Sequence, residues 1–466
     1  MKPLAILGTG SDAGKTTLVM ALCRIFADRG IKVAPFKAQN MSNNSAVTQE
    51  GREISRAQCL QAEAARIEPS YLFNPVLLKS HGTRSVQVVV NGLVHKNQSI
   101  GEYFIEIDTL KQHVQASFTR LQQDYDLVVA EGAGSPVELN LLDRDLANTF
   151  VTNTFNTKNI LVADIERSGV FASIYGTMAL MDPIMRSNLI GVVINKFRGD
   201  RRFFEDGEKI IRDRFGIPVL GVLPFLPLNI DMEDSQSLRN YQQRLAHAKI
   251  RIAVIAYPGL SNYNDLDVLM ADPELDVDIL HAYSPLNSYD MVLLPGSKTV
   301  ISDLQWLKSQ GFDEELAQFH KLVFGICGGF QMLCKSLQDP DQLEHDTPTE
   351  EQGLGLIDDI VIYQNPKILQ AGYYQLFTDS TVKGYEIHCG RMGKYALSYQ
   401  DERVTATHVH GVFDDDVFRK EYFKKINPQY QGFNYSQYRE AQIQGFADMV
   451  AENLDIDAIL RALQEG

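Results

Sequence analysis

Leu4-Ala5-Ile6-Leu7-Gly8-Thr9-Gly10-Ser11-Asp12-Ala13-Gly14-Lys15-Thr16-Thr17 decides the reading of this chain. A short apolar run enters a glycine-rich turn, which passes into the apolar run Leu18-Val19-Met20-Ala21-Leu22. Strand, glycine loop and helix in that order are the setting of a phosphate-binding loop. Glycines let backbone N–H groups curl around phosphate oxygens, and the helix N-terminus adds partial positive charge. Gly8, Gly10, Gly14, Lys15, Thr16 and Thr17 are therefore the expected nucleotide contacts. Lys15 would reach the terminal phosphates, and the Thr16 hydroxyl would ligate Mg²⁺. The common spacing wants glycine where Thr9 stands, and here Gly8 and Gly10 flank that position.

Outward from this stretch, apolar runs at 31–36, 126–130, 160–164, 189–195 and 219–223 alternate with helical patterns such as 52–66. Continuous apolar strands separated by helices predict an α/β unit whose parallel sheet is covered on both faces. Such sheets place ligands at the carboxyl ends of their strands. Pro35-Phe36-Lys37-Ala38-Gln39-Asn40-Met41-Ser42 follows the second strand, and Glu131-Gly132-Ala133-Gly134 follows the third. Glu131 occupies the place where a carboxylate holds Mg²⁺ or its water shell. Asn195-Lys196-Phe197-Arg198 is close to the guanine-reading Asn-Lys-x-Asp, but Arg198 stands where the acid belongs. Adenine is thus the expected base, with Asn195 a contact.

Prolines give way to acids and then to a polar stretch across 226–248, and a new strand pattern opens at 250. The expected organisation is a nucleotide unit over 1–228, a linker over 229–249 and a second α/β unit over 250–466. In the second unit, Leu322-Val323-Phe324-Gly325-Ile326-Cys327-Gly328-Gly329-Phe330 is a strand followed by Gly-x-Cys-x-Gly. This is the sulfur counterpart of a nucleophile elbow. Its sharp turn exposes the sulfur at a helix N-terminus, which favours the thiolate. Cys23, Cys59, Cys334 and Cys389 lack that setting.

A nucleophilic cysteine needs a base. His408 and His410 alternate in a strand-like run, so only one of them is expected to point at the sulfur. His388 is a third candidate, and the spacing leaves the three unranked. The strand Met291-Val292-Leu293-Leu294 breaks into Pro295-Gly296-Ser297-Lys298. The N–H groups of Gly296 and Gly328 are the expected oxyanion donors.

Composition sets outer limits. The 466 residues, 44% apolar and 22% charged, match a globular chain of at least two domains. A net charge of −15 argues against general nucleic-acid or anionic-membrane binding. No run approaches the ~18 apolar residues of a membrane span, and the N-terminal pattern is not that of a signal peptide. The five scattered cysteines are expected to be reduced, in the cytoplasm.

Taken together, these motifs resemble the cobyric acid synthase family of glutamine-dependent corrinoid amidotransferases, over nearly the whole chain. The first half is similar to dethiobiotin synthetase-like P-loop domains, which carry the same widened loop. Residues 35–42, Glu131-Gly132-Ala133-Gly134-Ser135-Pro136, Val162-Ala163-Asp164-Ile165 and Asn195-Lys196-Phe197-Arg198-Gly199-Asp200 are similar to family motifs. The second half resembles a class I glutamine amidotransferase domain of the cobyrinate/cobyrate subtype. There the family nucleophile falls on Cys327, and the histidine of His-Gly-[Leu/Val]-Phe falls on His410. Ordinary class I glutaminases carry Glu two residues after that histidine; this chain has Val412, which leaves the orienting partner of His410 open, with Glu386 a candidate.

The resemblance implies that Cys327 and His410 release ammonia from glutamine. Mg·ATP, held by the loop, Glu131 and Lys37, would phosphorylate a carboxylate that ammonia then converts to an amide. The implied substrate is (adenosyl)cobyrinic acid a,c-diamide, amidated at its b, d, e and g carboxylates, with Gln39, Asn40 and Asn44 near it. A sister tetrapyrrole amidotransferase, such as cobyrinic acid a,c-diamide synthase, and a ParA-like ATPase switch are the alternatives.

Overall fold

The computed structural model describes residues 1–81, 85–231, 248–345, 347–377 and 380–465. Six strands of the first unit form a parallel sheet in the order Val219–Pro224, Leu189–Phe197, Lys158–Asp164, Leu4–Gly8, Leu127–Glu131 and Val33–Phe36. The four inner strands are almost wholly buried, as continuous apolar runs require when helices cover both faces. Leu4–Gly8 lies at the centre, between Lys158–Asp164 and Leu127–Glu131, so the loop that follows it opens into the crevice at the strands' carboxyl ends.

Between the second and third strands of the sequence reading, the chain builds an antiparallel-rich insertion. Gln39–Met41, Val76–His81, Ser85–Val90 and Leu93–Ser99 form one sheet, and Ser45–Val47 pairs with Glu53–Ser55. This insertion faces the second unit. Leu369, Ala371, Tyr385 and Ile387, from the hairpin of strands Ile357–Leu376 and Ser380–Met392, join its apolar core.

The second unit carries the order Leu275–Leu280, Ile250–Ile255, Met291–Leu294, Leu322–Ile326, Val404–Thr407 and Ser398–Gln400. The first five strands are parallel and the last is antiparallel. Both units are thus α/β, with the strand positions expected from the apolar runs.

The C-terminal helices differ from the sequence reading, which grouped 250–466 together. Helices Tyr435–Asn453 and Ile456–Gln464 return to the first unit. Their Ile443, Phe446, Val450, Ile459 and Leu463 share one core with Leu18, Leu22 and Phe26 of helix Lys15–Asp28. Their apolar stripes find cover there, and Arg24–Glu440 and Arg439–Asp231 ion pairs at 2.7 and 2.6 Å fix the crossing. Most of the expected 229–249 linker lies outside the described residues; Asp231, at its edge, also receives Arg56 at 2.5 Å. Among the described residues, no helix is long and apolar enough to cross a membrane.

Candidate active sites

The loop after Leu4–Gly8 has the conformation its glycines permit. Gly14 sits at φ 93°, and a Cβ there would fall 2.0 Å from Asn195 Nδ2, so no side chain fits. Lys15 Nζ lies across the loop, donating to the carbonyls of Gly10 at 2.9 Å and Gly134 at 3.0 Å. Thr17 Oγ1 donates to the Gly14 carbonyl at 3.2 Å. Asn195, expected near the base, donates its amide to the Ala13 carbonyl at 2.9 Å and so braces the loop.

Glu131 is the hub of this site. It is buried, and its Oε1 accepts from Thr16 at 2.7 Å and Lys37 at 2.6 Å. Its Oε2 accepts from Gln61 at 2.6 Å and Gln58 at 3.4 Å. Burial would raise the carboxyl pKa, but the Lys37 charge and these hydrogen bonds hold it below the ordinary glutamate range. Asn40 joins the network by donating to Gln58 Oε1 at 3.0 Å and Ser55 Oγ at 2.7 Å. Gln39 is held by the Tyr103 hydroxyl. Asn44 lines the same cleft as Thr16, Asn40 and Arg56, and its buried Oδ1 has no hydrogen-bond partner among the described residues. Gln58 and Gln61 were not foreseen, although two glutamines three apart share a helix face, here that of Arg56–Ala64.

In the second unit, Cys327 caps helix Gly328–Met332 at φ 51°, ψ −105°. That strained conformation is the mark of a nucleophile elbow. The elbow closes tightly: a Cβ on Gly329 would lie 1.9 Å from the Leu294 carbonyl oxygen. Gly328 follows Cys327 directly, and Gly296 precedes Ser297, which lines the cysteine cavity. A Cβ on Gly296 would lie 3.0 Å from His410 Cε1, and one on Gly328 would lie 2.8 Å from the Ser297 nitrogen.

The three histidines separate clearly. His410 Nδ1 pairs with Asp265 Oδ2 at 2.7 Å, and the Gly411 N–H donates to Asp265 Oδ1 at 2.6 Å. Burial alone would lower the imidazole pKa, but the Asp265 charge, then the Cys327 sulfur, raise it to about 10. Cys327, His410 and Asp265 thus stand in the order that a nucleophile, its base and an orienting carboxylate would take.

Glu386, the expected orienter, instead faces His388 Nε2 at 3.3 Å. It lies on strand Ser380–Met392 and does not reach His410 Nδ1, which Asp265 occupies. Val412, where other glutaminases carry the acid, is fully buried among apolar side chains. Asp265 was not foreseen; the run Ser261-Asn262-Tyr263-Asn264-Asp265, in the segment that follows the buried strand Ile250–Ile255, was its signal.

His408 and His410 follow strand Val404–Thr407 rather than lie within it, and both are buried. His408 stacks on His388 with centroids 4.0 Å apart, and its Nδ1 faces the Ala396 carbonyl at 2.9 Å. Burial keeps it neutral, its pKa well below the ordinary histidine value. Glu386, His388 and His408 come within 4.8 Å of one another, but stacked parallel rings do not aim their lone pairs at one point.

The units share their sites. Lys79 and Gln87 of the first unit line the cavity that holds Cys327. Glu53, fully buried, bonds Lys79 at 2.6 Å and Lys367 of the second unit at 3.0 Å.

Comparison with known proteins agrees with this architecture. Residues 4–238 match the CobQ/CobB/MinD/ParA nucleotide binding domain, and residues 251–418 match the CobB/CobQ-like glutamine amidotransferase domain. The chain is 48% identical to a cobyric acid synthase of Acinetobacter baylyi over 100% of both chains. It is 39% identical to one of Caldanaerobacter subterraneus, covering 99% of this chain and 98% of that one. It is 38% identical to one of Salmonella heidelberg, covering 98% and 97%. With a nucleotide loop in one unit and a cysteine elbow in the other, the chain belongs to the cobyric acid synthase family of ATP-dependent glutamine amidotransferases.

Proposed function

We propose that this protein amidates the b, d, e and g carboxylates of (adenosyl)cobyrinic acid a,c-diamide, with glutamine as nitrogen donor and ATP as the activating agent. One observation carries the reading: the two sites are joined by shared walls. His410 borders both the Cys327 cavity and an open cavity of about 760 Å³ between the units, and Arg56 borders both that cavity and the cleft beside Thr16. That space lies towards the upper end of the ~300–1,000 Å³ of ordinary small-molecule pockets, and its open mouth suits a macrocycle with long carboxylate arms.

Cys327 Sγ adds to the side-chain amide carbon of glutamine, the N–H groups of Gly296 and Gly328 stabilise the oxyanion, and His410 gives its proton to the departing nitrogen. Ammonia leaves, and water then cleaves the thioester. In the first unit, Lys15 and Lys37 neutralise charge on the phosphoryl group as it passes to a corrinoid carboxylate. Ammonia displaces phosphate from the resulting acyl phosphate. Thr16 and Glu131 offer the hard oxygen donors that suit Mg²⁺. Lys37 and Gln61 already hold Glu131, so the ion would meet it through retained waters. Asn195, with its nitrogen committed to the loop, contacts adenine through its oxygen. Gln39, Asn40 and Asn44 face the substrate. The working compartment is the cytoplasm, in keeping with five unpaired cysteines.

The test is mass spectrometry of cobyrinic acid a,c-diamide after incubation with enzyme, Mg·ATP and either glutamine or ammonium. Successive amides up to four are expected with both donors. An unchanged corrinoid, while ATP and glutamine are consumed, would overturn the substrate. Product only from cobyrinic acid itself, at two carboxylates, would reassign the chain to the sister reaction.

A further inference from the structure

The cavity that holds Cys327 carries charges that the thiol chemistry does not use. Lys298, Glu344 and Lys367 of the second unit line it, and so does Lys79 of the first. Lys298 and Glu344 are half-buried side chains on tethered backbone. The Lys298 N–H donates to the Gly259 carbonyl at 2.9 Å. Asp339 gathers the loop that carries Glu344, accepting from the N–H groups of Leu343, Glu344 and His345 at 2.8, 2.9 and 2.9 Å. Glu344 Oε2 in turn accepts from the Val300 N–H at 3.2 Å. Burial lifts the Glu344 carboxyl to about 7, against the pull of Lys298. A carboxyl in that range takes up its charge when a cation arrives beside it. Among the described residues, the Lys298 ammonium group has no ion pair. Lys79 and Lys367 share the one carboxylate of Glu53, at 2.6 and 3.0 Å, so that cluster keeps a surplus positive charge at the cavity wall.

We propose that this cavity reads the α-amino acid end of glutamine, with Glu344 taking the ammonium group, Lys298 taking the carboxylate, and the Lys79–Glu53–Lys367 cluster drawing that carboxylate through its surplus charge. The inference rests on the reading above, in which Cys327 attacks glutamine. One acid and an excess of ammonium groups match a zwitterion whose side-chain amide lies at the sulfur. In a cavity this enclosed, charges meet with little screening, and bonds between charged groups are the strong ones. The donor site is therefore completed by the first unit, through Lys79 and Glu53.

The test alkylates Cys327 of the full-length enzyme and follows the adduct by mass spectrometry. The reagents are a diazoketone analogue of glutamine, the same diazoketone without its α-amino group, the same without its α-carboxylate, and iodoacetamide. Dividing each rate by that for iodoacetamide removes any change in the thiol itself. Glu344→Gln should slow the intact analogue about tenfold to a hundredfold, as expected for hydrogen bonds to charged groups. It should not further slow the reagent that lacks the amino group. Lys298→Met should slow the intact analogue to a similar degree and spare the reagent that lacks the carboxylate. Lys79→Met should show the same selectivity with a smaller loss. If Glu344→Gln and Lys298→Met slow the intact and truncated analogues by equal factors, the two residues are merely structural and the proposal is overturned. A Lys79→Met variant that labels like wild type with every reagent overturns the two-unit site. Failure of the functional reading shows separately, as a wild-type Cys327 that iodoacetamide modifies and the intact analogue leaves untouched.

Discussion

Asp265 and His410, 145 positions apart, share a 2.7 Å contact whose charge raises the buried imidazole's pKa to about 10. Asp265 sits on the short helix Tyr263–Leu266, just beyond strand Ile250–Ile255. The carboxylate fixes the Nδ1–H tautomer and stabilises the imidazolium that forms when Cys327 is deprotonated.

Asp265→Asn should retain the fold but present the wrong hydrogen-bonding pattern to Nδ1. Glutamine-dependent turnover should fall by roughly 10²- to 10⁴-fold, as in serine triads. Ammonium-dependent turnover should stay near wild type. Steady-state rates with each donor check this, and equal losses with both would remove Asp265 from the glutaminase.

Cys327→Ala and Lys15→Ala should separate the two chemistries. The first variant should lose glutamine as a donor and keep ammonium, because only the ammonia source is removed. The second should lose roughly 10²- to 10³-fold or more with either donor, since a preorganised positive charge at the phosphates is gone. Near-normal turnover in Lys15→Ala would refute the phosphate-binding role.

Glu53→Gln should destabilise the junction between the units. Lys79 and Lys367 would lose the buried carboxylate they share, at a cost of about 3–5 kcal/mol. Urea unfolding midpoints measure the loss. A change under about 1 kcal/mol would mean that both ammonium groups reach water.

The His410–Asp265 pair should give a particular pH signature. The folded-state pKa, about 10, is above the ordinary histidine value of 6.5. Its stabilisation is therefore complete below about pH 6.5 and is lost as pH rises through about 10. The Tm advantage of wild type over His410→Gln should shrink across that window; an advantage that grows with pH would reverse the assignment.

Local order was legible. The Gly8–Thr17 loop, the Cys327 elbow and the alternating apolar runs each depend on neighbours in sequence, because turn geometry and strand burial are set over a few residues. The bracing of the loop by the Asn195 amide, in contrast, is not written in the neighbours of that residue. The same locality assigned helix Tyr435–Asn453 to the nearer unit, although its apolar stripe is buried on the first.

From its residues alone, this chain determined two α/β units, a nucleotide loop built on Gly14 and Lys15, and a cysteine elbow at Cys327. The family motif pointed to His410, which spacing alone left unranked beside His388 and His408. Only the tertiary structure put Asp265 rather than Glu386 on its Nδ1 and brought Ser45 and Glu53 of the first unit against the second. Those choices depend on which distant side chains share a buried, low-dielectric space, where a charge or a polar group is tolerated only beside its partner.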